Sequence, residues 1–383
     1  MKIIGFCQGG PFDPHSWSGS NRGIFTALQR RGMLAGAYDV ELSGMKRYWA
    51  ALREYSPDKT VWRHNFLKSP YPFKLRTREA TRLMRAHGQD ADAVLQVGAM
   101  FDATASRPDL ARYCYLDSNS RLSENGGRQS FGYYARSEYK RMAFERERGI
   151  YQRSAGVFVF SDFVKNSLVN DFGIAPARVH TVYAGVNLKV PPVLPENAVK
   201  EPIILFIGRD FERKGGPLLI EAFRHVRTVM PRAKLIIAGA SPSVDVPGVE
   251  VVGFIDKHSD DGERRLADLF SRATVFTMPS HFEPFGIVYA EAMHFGLPCV
   301  AVNRCAMPEI VTHGQTGLLV QPDHARALAN ALLELLENPT RARAMGIAGR
   351  QKAKELFTWD KVAERMAQTM QKAEGNEWTR VAV

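Results

Sequence analysis

Short apolar runs recur along the chain, each followed by a stretch with helical periodicity. That alternation predicts parallel strands covered by helices. In the first half, strands are expected at residues 1–7, 93–97, 113–116, 156–160 and 179–183, and helices at 21–31, 134–153 and 162–171. In the second half, strands at 203–207, 234–238, 249–254, 274–278 and 298–302 alternate with helices at 217–230 and 262–272. Residues 325–337, 341–356 and 359–371 then predict three successive helices. Between the halves, residues 188–202 hold four prolines without regular periodicity and read as a linker. A chain of 383 residues is too long for one ordinary core and suits two domains.

Composition adds two points. With 45% hydrophobic and 24% charged residues the chain reads as a soluble globular protein. No apolar run approaches the length of a membrane span, and the opening Met1-Lys-Ile-Ile-Gly-Phe-Cys7 reads as a strand rather than a leader, so a cytoplasmic place is expected. Cys7, Cys114, Cys299 and Cys305 show no paired spacing, and neither disulfides nor a zinc site is expected. The net charge of +11 sits in the first half: residues 1–200 carry 29 Lys+Arg against 18 Asp+Glu, while the remainder carries 22 against 22. Such a field favours an anionic partner.

The most informative stretch is His281-Phe-Glu-Pro-Phe-Gly-Ile-Val-Tyr-Ala-Glu-Ala-Met293. Pro284 suits the first turn of a helix, which is expected to start right after Glu283. Eight helical positions separate Glu283 from Glu291 by about 12 Å along the axis and about 80° around it. Between them, the N–H groups of Phe285, Gly286 and Ile287 form a seat for an anion. A nucleotide diphosphate sugar, with an anionic middle and hydroxyl-rich ends, fits this arrangement. An ordinary surface helix with an acidic face fits the same residues equally well.

Other stretches bear on the same chemistry. The strand at 203–207 ends in Gly208-Arg209, and Lys214-Gly215-Gly216 opens the next helix, so both cations can converge on one anion. Asp117 closes the strand at 113–116 at the edge where parallel sheets bind ligands, although capping a turn is the commoner use of such an aspartate. The loop 9–20, rich in Gly and Ser, has the strand–loop–helix order of a phosphate cradle and equally that of a flexible connection. From Lys46 to Arg85, eleven Lys or Arg alternate with Tyr48, Trp49, Tyr55, Trp62, Phe66, Tyr71 and Phe73. Cations mixed with aromatics suit an anionic membrane surface or single-stranded nucleic acid, or helices whose aromatics fill a core. Arg76, Arg78 and Arg82 are the cations expected at such a surface.

Gly208-Arg209 with Lys214-Gly215, Glu283-Pro-Phe-Gly-Ile-Val-Tyr-Ala-Glu291, and Pro308-Glu309-Ile-Val with Gly314-Gln-Thr-Gly-Leu-Leu319 resemble the retaining glycosyltransferases of family 4. Ser161-Asp-Phe-Val-Lys, Val182-Tyr-Ala-Gly-Val-Asn187 and Trp17-Ser-Gly-Ser20 carry the likeness into the first half. The resemblance implies an α/β GT-B fold, two Rossmann-like doubly wound parallel-sheet domains facing a deep cleft. An acceptor domain would span 1–190 and a nucleotide-sugar domain 200–357, with the C-terminal helix 358–383 returning to the first. It also implies an NDP-sugar donor in UDP or GDP form, a glycan or lipid-linked hydroxyl acceptor, no other cofactor and no metal, with nucleic acid an unfavoured partner. Arg209 and Lys214 would hold the diphosphate, Glu291 the ribose, and Glu283 the transferred sugar. Gly208, Phe285, Gly286 and Ile287 would assist, and Ser18 and Gly19 would approach the diphosphate.

Two departures from the family pattern stand out. Asp117 takes the place where many members have histidine, and Asn303-Arg-Cys-Ala306 replaces a more usual glycine pair, which makes Cys305 a candidate site residue. Asp90-Ala-Asp92 precedes a strand instead of closing one, in keeping with metal-free chemistry. Two other readings share the fold: a sugar-nucleotide epimerase, separable by a product assay without acceptor, and a catalytically silent subunit that binds lipid or nucleic acid.

Overall fold

The computed structural model describes residues 1–124, 136–189 and 201–375. The chain divides into two compact units, Met1–Ala184 with Trp359–Val383, and Gly185–Thr358. Most of the proline-rich stretch read as a linker lies outside the described residues.

The first unit is built on β1 (Ile3–Cys7), β2 (Leu34–Asp39), β3 (Ala93–Val97), β4 (Ala111–Leu116), β5 (Gly156–Val159) and β6 (Val179–Thr181), all parallel, in the order β2-β1-β3-β4-β5-β6. Every residue of β1, β3 and β5 is buried, which explains why those strands read as near-continuous apolar runs, interrupted only by Gln96 in β3. Edge strand β2 is half-exposed, and its Leu-Ala-Gly-Ala-Tyr-Asp sequence gives no such run. Helices α1 (Ser20–Arg30), α2 (Gly44–Arg53), α3 (Lys59–Lys68), α4 (Pro70–His87), α5 (Ser120–Ser123), α6 (Ser137–Gln152) and α7 (Asp162–Asn170) accompany the sheet. Of the helix expected at 134–153, residues 134 and 135 lie outside the described part.

The basic, aromatic stretch therefore folds as three helices, α2 to α4. One expectation there is corrected. Arg76 is fully buried, with its guanidinium 2.9 Å from the Glu41 carboxylate and over the Phe66 ring, so it cannot meet an external surface. A charged group left unpaired in that position would be costly, and Glu41 is the partner that makes its burial tolerable. Arg78 and Arg82 are exposed.

The second unit has β7 (Ile203–Ile207), β8 (Lys234–Ala238), β9 (Val249–Gly253), β10 (Val275–Thr277), β11 (Cys299–Val302) and β12 (Gly317–Val320), again all parallel, in the order β12-β11-β10-β7-β8-β9. It carries α8 (Gly216–Val229), α9 (Asp260–Arg272), α10 (Ile287–His294), α11 (Met307–Ile310), α12 (Ala325–Glu337) and α13 (Pro339–Leu356). The chain leaves β7 outward to β8 and β9, then returns so that β10 pairs with β7 on its other side. The direction of winding thus reverses between β7 and β10, and the loops after those two strands diverge around a crevice at their carboxyl ends. In the first sheet the same reversal falls between β1 and β3. The thiols of Cys7, Cys114 and Cys299 are buried within β1, β4 and β11, and all four cysteines are free.

The last helix, α14 (Trp359–Gly375), belongs to the first unit and packs against α1. The contact is tight: a Cβ placed on Gly23 of α1 would lie 2.2 Å from the Trp359 indole. Arg30 of α1 pairs with Asp360 at 2.9 Å beside it. Gly149 in α6 offers a contrast, since its nearest foreign atom is the flexible tip of Arg153 at 3.0 Å. The same substitution should therefore act with opposite sign at the two sites. Gly23→Ala is expected to destabilise the protein by about 1–3 kcal/mol through overpacking, and Gly149→Ala to stabilise it by about 0.5–1 kcal/mol through helix propensity. Urea denaturation of the two variants checks this, and equal stability of Gly23→Ala and wild type contradicts the docking of α14 on α1.

Candidate functional site

In the second unit the crevice between β7 and β10 is lined by the segment 208–215 and the segment 278–286. The first is a tight turn: Asp210 accepts the Arg213 amide through Oδ1 at 3.1 Å and the Lys214 amide through its carbonyl at 2.9 Å. Gly215 then caps α8 with φ of 77°, and a Cβ there would lie 1.9 Å from the Pro279 carbonyl oxygen. Only glycine lets the two segments come this close. The result is that the Lys214 ammonium donates to the Glu283 carboxylate, with both side chains largely withdrawn from water. An ion pair so largely withdrawn from water returns little net stability for its desolvation, so its presence at a switch point calls for a functional account.

The stretch around Glu283 departs from expectation. Helix α10 begins at Ile287 and not directly after Glu283. Phe285 is drawn into the core, edge-on to Phe357 at 5.7 Å, and Gly286 takes φ of 84° to turn the chain into the helix. Pro284 marks that turn rather than the first helical residue. Glu283 is accordingly not a helix residue, and the axial separation estimated from helical geometry does not apply. The amides that open α10 are those of Ile287 and Val288, since the Tyr289 N–H is taken by the Gly286 carbonyl at 2.9 Å. Of the three amides expected to seat an anion, only that of Ile287 therefore lies within the helix end.

Tyr289, which sequence reasoning passed over, fixes where that helix end sits. Its hydroxyl donates to the Met278 carbonyl at 2.8 Å and accepts the Met278 amide at 3.1 Å, tying the first turn of α10 to the end of β10. Its only signal in the sequence was its place in an apolar helix.

Glu291 lies one turn in from the start of α10 at Ile287 and is almost fully buried, at 7% exposure. Its Oε1 has no hydrogen-bond partner among the described residues. Lys257, which follows β9 and carried no sequence signal, places Nζ 4.0 Å away. Burial raises the Glu291 carboxyl above its ordinary 4.5, against the weaker opposing pulls of Lys257 and the Asn187 amide. An acceptor left empty in such a place is suited to a hydroxyl donor from a ligand.

The structure gives the two expected cations different partners. Arg209 is exposed, its guanidinium 4.8 Å from the Phe254 ring centre at the end of β9, while Lys214 faces Glu283. Cys305 stands beside the Glu283 backbone amide, and burial raises its thiol. Its φ of 54° is in the left-handed region, where glycine would be unstrained. Neighbouring Arg304 holds the His281 carbonyl at 3.2 Å and Asp323 at 2.6 Å, bracing the segment that leads to Glu283.

In the first unit, the loop after β1 turns through three residues of positive φ: Trp17 at 47°, Ser18 at 57° and Gly19 at 90°. Trp17 is wedged against Phe160 at 5.1 Å and Tyr115 at 5.8 Å, which supports a backbone that two non-glycine residues would otherwise resist. Asp117 follows β4, two residues beyond Tyr115, at the carboxyl edge of the same sheet. Behind it, Glu147 accepts from the Ser120 amide and hydroxyl at 3.0 and 2.8 Å. Burial pushes Glu147 up to about 7 and neighbouring Lys68 down to about 7. Asp90 and Asp92 lie at the amino end of β3, away from that edge.

Comparison with known proteins agrees with this architecture. Residues 195–352 match the model of Glycosyl transferases group 1, and residues 28–190 match that of Glycosyltransferase Family 4. The alpha-maltose-1-phosphate synthase of Mycolicibacterium smegmatis is 29% identical over 255 residues, covering 59% of this chain and 65% of that protein. Matches to the first curated relatives span between 47% and 65% of those proteins' own length. Among solved structures, sucrose-phosphate synthase from Thermosynechococcus elongatus superposes with a TM-score of 0.69 at 22% identity, covering 98% of this chain and 100% of that one. HepE of Anabaena, solved in complex with UDP and glucose, gives a TM-score of 0.65 at 17% identity, covering 97% and 99%. With two sheets wound as described and both family models matched in chain order, the chain belongs to glycosyltransferase family 4 and has the GT-B fold.

Proposed function

We propose that this chain is a retaining glycosyltransferase that moves a sugar from a nucleotide diphosphate sugar to a hydroxyl acceptor, a lipid-linked or cell-surface glycan intermediate. The observation that carries the reading is the Lys214–Glu283 pair at the switch point, one turn of chain before the amides of α10. An arriving diphosphate would take Lys214 from Glu283, gain the helix end as a second positive contact, and free the carboxylate for sugar hydroxyls. Arg209 supplies a further cation from the same edge. The empty Oε1 of Glu291 is assigned to the ribose hydroxyls. HepE, solved with UDP and glucose, supports a nucleotide-sugar donor, which is assigned the UDP or GDP form. A thermal-shift screen of UDP, GDP and ADP sugars tests the choice, because a ligand that binds only the native state raises the melting temperature with its affinity.

In the proposed step the anomeric C–O bond to the diphosphate breaks while the acceptor oxygen bonds to the same carbon from the same face. The acceptor proton passes to a diphosphate oxygen. Charge develops on the leaving group, and preorganised donors facing it are the main catalytic term. Lys214, Arg209 and the α10 amides take that role, and no metal is assigned one. The first unit is assigned the acceptor, with Asp117 orienting hydroxyls and the strained turn at Ser18 and Gly19 presenting backbone amides. Neither Asp117 nor Glu283 is given a covalent role.

Two outcomes follow from these assignments. Lys214→Ala is expected to lower kcat by about 100- to 1000-fold with the fold retained by circular dichroism, and Lys214→Arg to recover part of the loss. Turnover of the alanine variant at the wild-type rate removes Lys214 from the leaving-group site. For Glu291, the native state keeps a proton that the unfolded chain has already released, so the native state binds more protons from pH 4.5 up to the raised native value. Stability contributed by this group therefore falls as pH rises through that window. Glu291→Gln should raise the melting temperature of the ligand-free protein above that window, while weakening donor binding by about tenfold or more through loss of the charged acceptor. Calorimetric titration at matched pH reads both effects, and unchanged donor affinity would free Glu291 from the ribose.

A further inference from the structure

Helix α2 is built inside out. Its single buried residue is Ala50, which packs in the small cluster with Leu42 and Phe66. Its large apolar residues face water: Met45 is 65% exposed, Tyr48 57%, Trp49 54% and Leu52 48%, and Tyr55 just beyond the helix is 60% exposed. Positions 45, 48, 49 and 52 follow the i, i+3, i+4, i+7 spacing, so they form one continuous stripe. The other exposed large apolar side chains of the described residues are Phe12, Val229, Ile347 and, in and just past β9, Val251 and Phe254, none of them in a helical stripe. Isolated exposed apolar residues need no explanation, but a stripe of them does.

The stripe is rimmed by positive charge. Lys46, Arg47 and Arg53 on α2 and Lys59 and Arg63 on α3 are all exposed. Of the acidic residues nearby, Glu54 is buried and accepts from the Tyr139 hydroxyl at 2.9 Å, and Asp58 caps α3 by accepting the Thr60 and Val61 amides. Glu79 of α4 pairs with Lys46 at 3.2 Å, so that of these rim cations Lys46 is the one shared with a carboxylate in an ion pair among the described residues. Arg47 and Arg53 are held in place over the Phe66 and Tyr71 rings.

We propose that α2 lies in the plane of an anionic lipid surface, with Met45, Tyr48, Trp49, Leu52 and Tyr55 sunk among the headgroups and the surrounding cations on the lipid phosphates. Tyr and Trp belong at that depth because their rings are apolar at one end and polar at the other, and Lys/Arg flanking an apolar face is the pattern of an in-plane helix. Tyr, Trp, Met and Arg are also enriched at protein interfaces, but lysine is depleted there, and Lys46 and Lys59 both border this stripe. At ten residues, about 15 Å, the helix is far too short to span a bilayer and is suited to lying flat. No helix among the described residues is long and apolar enough to cross a membrane. The inference does not rest on sugar transfer, since it concerns a face of the first unit and is read without donor or acceptor.

Flotation of the full chain with vesicles tests it. The wild type should float with phosphatidylcholine vesicles that contain phosphatidylglycerol and stay behind with phosphatidylcholine alone, with a blue shift of tryptophan emission that is absent in Trp49→Phe. Trp49→Glu with Leu52→Glu should cut partitioning by more than about tenfold, and Lys59→Glu with Arg63→Glu by severalfold at low salt only. Ile347→Glu, on another helix, should float like wild type. Thermal melts establish that each variant is folded, and the charge-reversal pair leaves the apolar face untouched should the first pair fail that check. Wild type that does not float, or a folded Trp49→Glu/Leu52→Glu variant that floats equally well, overturns the proposal. So does a wild-type dimer, seen by sedimentation without lipid, that the same pair dissociates, because the stripe then belongs to a second copy of this chain.

Discussion

The reversal of winding between β7 and β10 is the constraint from which the rest of the second unit follows. Strands that pair side by side while their outgoing chains part must leave a crevice at their carboxyl ends. Into that crevice the turn before α8 delivers Lys214, and the turn before α10 delivers Glu283. Gly215 allows the two segments to touch, Tyr289 pins the start of α10 to the end of β10, and Arg304 braces the approach to Glu283. Each of these features would be dispensable in a sheet that served only to bury apolar surface.

The same region carries the features that a stability argument alone would remove. A lysine–glutamate pair withdrawn from water, a buried glutamate with one empty oxygen, and a cysteine in the left-handed region all cost free energy in the ligand-free protein. The first unit adds Trp17 and Ser18, held at positive φ by aromatic packing. These particular features lie at the carboxyl edges of the two sheets, although buried polar atoms without a hydrogen-bond partner among the described residues also occur away from them, on His64, Ser69 and Arg112. Strain and unsatisfied polarity set where ligand chemistry belongs are the expected signature of sites whose partner arrives later.

Much of this was legible in the sequence. Strands β3, β7 and β8 end where their apolar runs end, because largely buried strands are apolar at nearly every position, Gln96 in β3 and Lys234 at the start of β8 being the exceptions. Half-exposed β2 and the short β12 lacked that contrast and were not read. The start of α10 was misplaced because Pro284 carries a genuine helix-start signal, and the burial of Phe285 and the turn at Gly286 that override it are tertiary effects. Arg76 gave no sign that its charge points inward, since the Glu41 that receives it is thirty-five residues away. Lys214 and Glu283 were both singled out, but that one would hold the other emerges only when the switch point brings their loops together.

The most direct measurement is a crystal structure of this chain with a nucleoside diphosphate bound. The account predicts phosphate oxygens within about 3 Å of Lys214 Nζ and of an amide in the first turn of α10, with Glu283 released from the lysine and a ribose hydroxyl on Glu291. A diphosphate bound elsewhere, with the Lys214–Glu283 pair intact and the Glu291 oxygen still empty, would contradict it.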